Sequence, residues 1–319
     1  MRAIGLYEFG GPDVLRVVDL PEPHAGPGEV RVRVRAAAVN PADTLLRSGV
    51  HARALAGVPA PYVPGMDIAG VIDEIGPGAE TELSPGEPVM AMVMPLGPAA
   101  GGYAEYVVLP AGWVVPAPAG TDHAAAATLP MNGLTAQLTL DRLALAPGSV
   151  LAVIGAAGTL GGYLVQLGRH AGLTVVADAA PADESLVRLS GAADVVPRGS
   201  DVAGRIRDRY PDGVAAIADT ALVGPRLLDA VRDGGTYARF RSSGEPGAHE
   251  VDGNGRITVR TPFVPDYAGR TDKLHQIRRL AEAGVLTPRI AATLPAAEAP
   301  AAHRRLEAGG LRGRLVLTF

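Results

Sequence analysis

The chain has 319 residues, 47% apolar and 19% charged, which describes a folded protein with room for two domains and excludes a disordered one. A net charge of −4 gives no electrostatic reason to expect nucleic acid as the main ligand. The absence of cysteine removes disulfides, thiolate zinc sites, thiol nucleophiles and iron–sulfur clusters together, and the single lysine, Lys273, leaves Schiff-base chemistry resting on one polar helical stretch.

The opening MRAIGLYEFGG reads directly into structure, and no apolar run reaches membrane-spanning length, so a cytoplasmic protein without a membrane partner is expected. Residues 1–120 carry short β signals broken by Pro and Gly. Glu29–Ala38 alternates as a half-buried strand should, and Ile68–Ile75, Pro88–Val93 and Tyr103–Leu109 continue the pattern. Turns fall at Pro27-Gly28, Pro77-Gly78 and Pro85-Gly86. From about Ala124 the texture changes to helices alternating with strands, which implies a parallel, doubly wound sheet. His123–Leu143 reads as helix, Leu151–Ile154 as a buried strand and Thr174–Asp178 as a second strand. Arg205–Tyr210 reads as a helix end, Val214–Ala218 as a third strand, Pro225–Arg232 as a helix and Thr236–Phe240 as a fourth strand. The last segment has a helix to Gly284, a strand near Ile290–Leu294, a helix over Pro300–Ala308 and the strand Arg314–Phe319.

The most informative stretch is Leu151–Gly172, where Gly155, Gly158 and Gly161 follow a strand at three-residue spacing and open a helix. Such a turn presents backbone N–H groups at a helix N-terminus, where the dipole favours a pyrophosphate and glycine lets it approach. The spacing is GxxGxxG rather than GxGxxG, so the strand before it and the helix after it carry the nucleotide reading. Gly155, Ala156, Gly158, Thr159, Leu160 and Gly161 form the candidate cofactor turn.

Several blocks in order carry a resemblance: MRAIGLYEFGGPDVLRVVDLPEP, PGEVRVRVRAAAVNPAD, PYVPGMDIAGVIDEIGPG, GGYAEYVVLP, LPMNGLTA, the ADT of Ala218–Thr220, LEAGG and GRLVLTF. Together they resemble, end to end, the zinc-independent quinone oxidoreductase branch of the medium-chain dehydrogenase/reductase superfamily. The resemblance implies an α/β protein with a GroES-like, β-rich catalytic domain over residues 1–122. It implies a Rossmann-type doubly wound parallel sheet over 123–265 and a C-terminal segment, 266–319, returning to the catalytic domain. Nucleotide and substrate would lie in the cleft between domains, and a homodimer would form through an edge of the nucleotide domain near Arg239–Val259. Zinc-dependent members hold their metal with Cys, His and Cys; Asn40, Met66 and Met131 match those positions, and Asp67 alone cannot supply a site.

The implied activity is zinc-free hydride transfer from a nicotinamide cofactor to a small-molecule quinone or activated C=C bond. By resemblance Asn40 and Asp43 lie near nicotinamide and substrate, and Thr135 near the carboxamide or the hydride face. The Asn40 amide either donates to the acceptor oxygen or ends a strand, with Asp43 capping the next helix. Leu45 and His51 stand where relatives carry substrate-flanking tyrosines, so His51 is either a proton donor or a solvated loop residue. Asn132 either adds a substrate hydrogen bond or caps its helix. Arg241, at a position where relatives commonly have glycine, reaches the site to bind an acidic group or turns to solvent. Asp178 and Asp183 suit a ribose diol and NAD(H), while Arg198 supplies a cation for the 2′-phosphate of NADP(H), which family grounds favour. The altered positions also suit a non-redox protein on the same fold, a cyclase, isomerase or nucleotide-sensing module.

Overall fold

The structure, a computed structural model, describes residues 1–96 and 101–319. It divides into two compact units. One comprises Met1–Met131, Pro265–Gly284 and Pro288–Phe319; the other comprises Asn132–Val264 with Val285–Thr287. The division after Met131 lies beyond residue 122 because the next helix packs on strands of the first unit.

The first unit opens with the antiparallel pair β1 (Arg2–Gly5) and β2 (Arg16–Asp19). Then follow β3 (Glu29–Ala38), α1 (Pro41–Ser48), β4 (Asp67–Ile75), β5 (Pro88–Met92), β6 (Tyr106–Pro110), β7 (Val114–Pro116) and α2 (His123–Ala127). The alternation of β3 has its expected consequence: Val30, Val32 and Val34 are buried in the core while the intervening arginines point away from it. The Asp122 carboxylate accepts from Ala125 N at 2.7 Å and caps α2. The helix expected over His123–Leu143 is two helices, because Pro130 has no N–H to extend α2 and instead starts α3 (Pro130–Leu143).

The second unit holds β8 (Val150–Ile154), α4 (Thr159–His170), β9 (Thr174–Ala179), α5 (Glu184–Leu189), β10 (Asp194–Pro197), α6 (Val202–Arg209), β11 (Val214–Asp219), β12 (Val231–Arg239) and β13 (Thr258–Arg260). All neighbours pair in parallel in the order β10-β9-β8-β11-β12-β13, the doubly wound order in which the chain reverses direction between β8 and β11. β11 is buried along its whole length, as a strand covered on both faces must be. The sequence reading missed β10, so its third and fourth strands are β11 and β12. The segment expected as an α-helix over Pro225–Arg232 is a 3-10 turn at Gly224–Ala230, and β12 begins at Val231. Residues 240–257 carry no strand, and β13 forms this edge of the sheet, with β10 at the other.

The chain then returns to the first unit through α7 (Thr271–Glu282), β14 (Ile290–Pro295), α8 (Ala299–Ala308) and β15 (Arg314–Thr318). β15 pairs antiparallel with β3 and completes a seven-stranded sheet of order β14-β15-β3-β4-β5-β7, with β6 also on β3. Among the described residues no helix is long and apolar enough to cross a membrane.

Candidate functional site

In the first unit a chain of buried polar groups runs from α8 to the end of β3. Arg47, on α1, pairs with Glu307 at 2.5 Å and contacts His303 Nδ1 at 3.3 Å. A guanidinium can only donate, so His303 Nδ1 accepts and its hydrogen sits on Nε2. Nε2 then donates to Tyr103 Oη at 3.2 Å, and Tyr103 donates to Asp43 Oδ2 at 3.1 Å. Asp43 also accepts from Asn40 N at 2.8 Å and Gly65 N at 3.0 Å, so it closes the capping box of α1, whose N-cap is Asn40. Asn40 Nδ2 donates to Asp67 Oδ2 at 2.7 Å and Ala38 O at 3.3 Å, and Asp67 Oδ1 accepts from Met131 N at 2.6 Å. Both amide hydrogens of Asn40 are thus engaged within the protein. Of the two readings of Asn40, these bonds describe the one that ends a strand beside a helix start.

Burial sets the charge states here. It pushes Asp43 up to about 6 and Asp67 up to about 7, against the lowering effect of their hydrogen bonds and of buried Arg314. Burial, then the charge of Arg47, pushes His303 down to about 3. The two classes have opposite linkage. A base with a depressed folded pKa contributes stability that is present above 6.5 and lost as pH falls toward 3; the raised carboxylates weaken the fold as pH rises from 3.8 toward 6 and 7. His303→Gln is therefore expected to cost about 1–2 kcal/mol at pH 7, with a smaller deficit at pH 5. Urea unfolding at the two pH values measures this, and an equal deficit at both would remove the neutral buried histidine from the account.

The second unit gathers its polar groups at the carboxyl ends of β8, β9, β11 and β12. Gly155 follows β8 at φ 88°, and a Cβ there would lie 2.4 Å from Thr220 Oγ1. Gly161 presses on the same turn: its Cβ would meet Gly155 O at 2.3 Å. Asp178, 1% exposed, accepts from Gly155 N at 2.6 Å and Ala156 N at 3.4 Å through Oδ1, and from Arg198 Nε at 2.8 Å through Oδ2. The carboxylate expected on a ribose diol is buried, and it faces the turn through Oδ1 and Arg198 through Oδ2. Asp178 takes the N–H groups of Gly155 and Ala156, and the Gly158 N–H donates to Gly155 O at 3.0 Å. These three shape the turn. No side chain caps α4, which leaves the first-turn N–H groups of Thr159, Leu160 and Gly161 as the donors for an anion.

The remaining candidates are placed as follows. His51 is half-buried before a 3-10 turn and shares no hydrogen bond with the buried chain among the described residues. Asn132 and Thr135 are buried in α3, where the Thr135 carbonyl accepts from Thr139 Oγ1 at 2.7 Å. Arg241 is half-buried beyond β12 beside Arg239. Sequence reasoning missed Tyr103, His303 and Arg47, which act through partners distant in the chain, and Asp219, whose carboxylate ties the turn that follows it.

Known proteins match along the whole length. Residues 26–119 match the family described as alcohol dehydrogenase GroES-like domain, and residues 190–317 that described as zinc-binding dehydrogenase. A quinone oxidoreductase of Rattus norvegicus is 28% identical over 99% of this chain and 97% of its own length. A 2-haloacrylate reductase of a Burkholderia species is 28% identical over 99% and 98%. A mycobacterial structure complexed with NADPH superposes with a TM-score of 0.86 at 28% identity, covering both chains fully. The chain belongs to the quinone oxidoreductase-like branch of the medium-chain dehydrogenase/reductase superfamily. In this medium-chain dehydrogenase/reductase, the positions expected for zinc ligands hold Asn40, Met66 and Met131. Among the described residues no group of three or more His, Asp or Glu side chains stands together to hold a metal ion.

Proposed function

We propose that this chain is a nicotinamide-dependent reductase of quinones or of C=C bonds conjugated to a carbonyl or carboxyl group, working without zinc. The observation that carries it is the turn after β8. Gly155 and Gly161 leave no space for a Cβ, and the uncapped start of α4 supplies N–H donors at the switch point of a parallel sheet. A bound dihydronicotinamide would supply the hydride. Thr159, Leu160 and Gly161 hold the pyrophosphate, Asp178 fixes the turn, and the Asp67–Asn40–Asp43 chain holds the end of β3 against α1. The names of the relatives, a quinone oxidoreductase and a 2-haloacrylate reductase, agree with both acceptor classes. The test is oxidation of NADPH and NADH with 1,4-benzoquinone, a neutral enone and 2-chloroacrylate. Oxidation that depends on one of these acceptors supports the reading; nucleotide binding without turnover of any of them overturns it.

Preference for NADP(H) follows from Arg198. Its Nε is held by Asp178, its side chain is 39% exposed, and its terminal nitrogens bond no described residue, so a 2′-phosphate finds donors already oriented. Arg198→Met is expected to weaken NADPH about 10- to 100-fold while NADH changes little. In Asp178→Asn the side-chain oxygen can keep Gly155 N, but the NH₂ then faces the Arg198 Nε–H, so Arg198 loses its anchor and NADPH is expected to bind several-fold more weakly. Fluorescence titration at two salt concentrations reads both; equal effects on NADPH and NADH would remove Arg198 from phosphate recognition.

A further inference from the structure

Beyond Arg198, the second unit carries two more arginines at the carboxyl edge of its sheet, and neither has an ionic partner among the described residues. Arg239, the last residue of β12, donates only to neutral oxygens: Thr261 Oγ1 at 3.0 Å, Ser243 Oγ at 3.2 Å and His249 O at 3.3 Å. Arg241 makes no hydrogen bond or ion pair to any described residue, and burial holds its guanidinium below the usual arginine range although Glu245 opposes the shift. Both line a shallow, open surface notch with Tyr237, His249 and Asp219.

Asp219 does not answer these charges by direct contact. Its Oδ2 accepts from Tyr237 Oη at 2.6 Å and Gly224 N at 2.8 Å, and its Oδ1 from Val223 N at 3.1 Å and Ala221 N at 3.2 Å. The notch therefore has a floor whose carboxylate is fully committed and a rim of guanidinium groups with donors to spare. A half-buried cation without a counterion in contact is costly unless a ligand supplies one.

Position says which ligand. The notch lies at the ends of β11 and β12, and Thr220, next to Asp219, adjoins Gly155 of the glycine turn. Strand spacing puts β12 about 10 Å along the sheet from β8. In this strand order the ribose-recognition side of a dinucleotide lies over β9, so its nicotinamide half extends toward β11 and β12. An acceptor stacked on the nicotinamide would lie beside the arginines.

We propose that Arg241, beside Arg239, is a subsite for the carboxylate of the acceptor, so that the preferred substrates are α,β-unsaturated carboxylic acids rather than neutral quinones. This rests on the reductase reading above and names the substrate class of the same site. A planar guanidinium matches a carboxylate through two parallel hydrogen bonds, a geometry a lysine ammonium cannot reproduce.

The test compares wild type, Arg241→Gln and Arg241→Lys with 2-chloroacrylate and a neutral enone as acceptors. The ratio of kcat/KM for the acid to that for the enone is expected to fall about 10- to 100-fold in Arg241→Gln, with only partial recovery in Arg241→Lys. An unchanged ratio overturns the proposal. NADPH titration of the same variants separates the other source of an anion: if nucleotide affinity falls as far as the ratio, Arg241 serves a nucleotide phosphate and the proposal fails. Calorimetric titration of the NADP⁺-loaded protein with 2-chloroacrylate is the arm independent of turnover. Binding by wild type that is lost in Arg241→Gln supports the subsite even if no acceptor is reduced, and no binding by wild type overturns it.

Discussion

Asp43→Asn is expected to destabilise the protein by about 3 kcal/mol at neutral pH, the upper end for a buried donor left unsatisfied. The reason is the sign of every partner. Asp43 meets three donors, Asn40 N, Gly65 N and Tyr103 Oη, and two of them are backbone N–H groups that cannot rotate. An asparagine in either orientation sets its NH₂ against one of those fixed N–H groups, and the site is buried, so water cannot intervene. A melting temperature lower by roughly 6–12 °C is the corresponding readout. The pH dependence identifies the cause. Burial raises Asp43 to about 6 in the folded state, so wild-type stability falls as pH rises from 3.8 toward 6, a slope the variant lacks. The deficit of Asp43→Asn therefore narrows between pH 4 and pH 7. A deficit that is constant with pH would mean that the carboxylate stays charged throughout and that its donors outweigh its burial.

The same chain of bonds explains why Asn40 does not behave as a free polar group. Asp43 and Asp67 are two buried carboxylates, with Arg314 as the buried cation whose charge lowers both. Each carboxylate ties a chain end that the fold must control: Asp43 the start of α1, Asp67 the start of α3 through Met131 N. Asn40 bridges them. Rigid placement of the end of β3 is what these groups contribute, at the cost of burying charge.

Much of the architecture was readable from the chain because its signals are local. The alternation in Glu29–Ala38 and the apolar run of Leu151–Ile154 each specify a strand by periodicity and burial alone, and the glycines after the second specify a tight turn. Where local signals compete, the reading failed. β10 is four residues ending in proline, too short for periodicity, and it exists because it pairs with β9 in register Asp194↔Val176. The segment after Gly224 looked helical, yet Gly224 sits at φ 79° and the Asp219 carboxylate ties three N–H groups there, which tightens the backbone into a 3-10 turn. The site was legible only by residue type. That Asp178 turns inward to Gly155, or that His303 reaches Tyr103 200 residues away, depends on tertiary pairing that no spacing rule encodes.

Gly161→Ala is expected to weaken NADPH and NADH together by about 10- to 100-fold, the scale of an overpacked contact of 1–3 kcal/mol. The added methyl would lie 2.3 Å from Gly155 O and 2.8 Å from Gly155 C, backbone atoms of the turn itself, so the turn must move away from α4. Any such movement shifts the first-turn N–H groups of Thr159, Leu160 and Gly161 relative to the strand end, and those are the donors available to a pyrophosphate. Global stability should change less than binding, because alanine favours a helix over glycine by about 1 kcal/mol and offsets part of the clash. Gly148→Ala is the control. Gly148, unlike Gly161, has positive φ, at 81°, but a Cβ there meets nothing within 4 Å. It is expected to lose about 1 kcal/mol of stability from backbone strain and to leave nucleotide affinity unchanged. If Gly161→Ala binds both nucleotides as wild type does, the turn after β8 is not where the pyrophosphate sits. If Gly148→Ala loses binding equally, the loss reports strain in the unit rather than geometry at the turn.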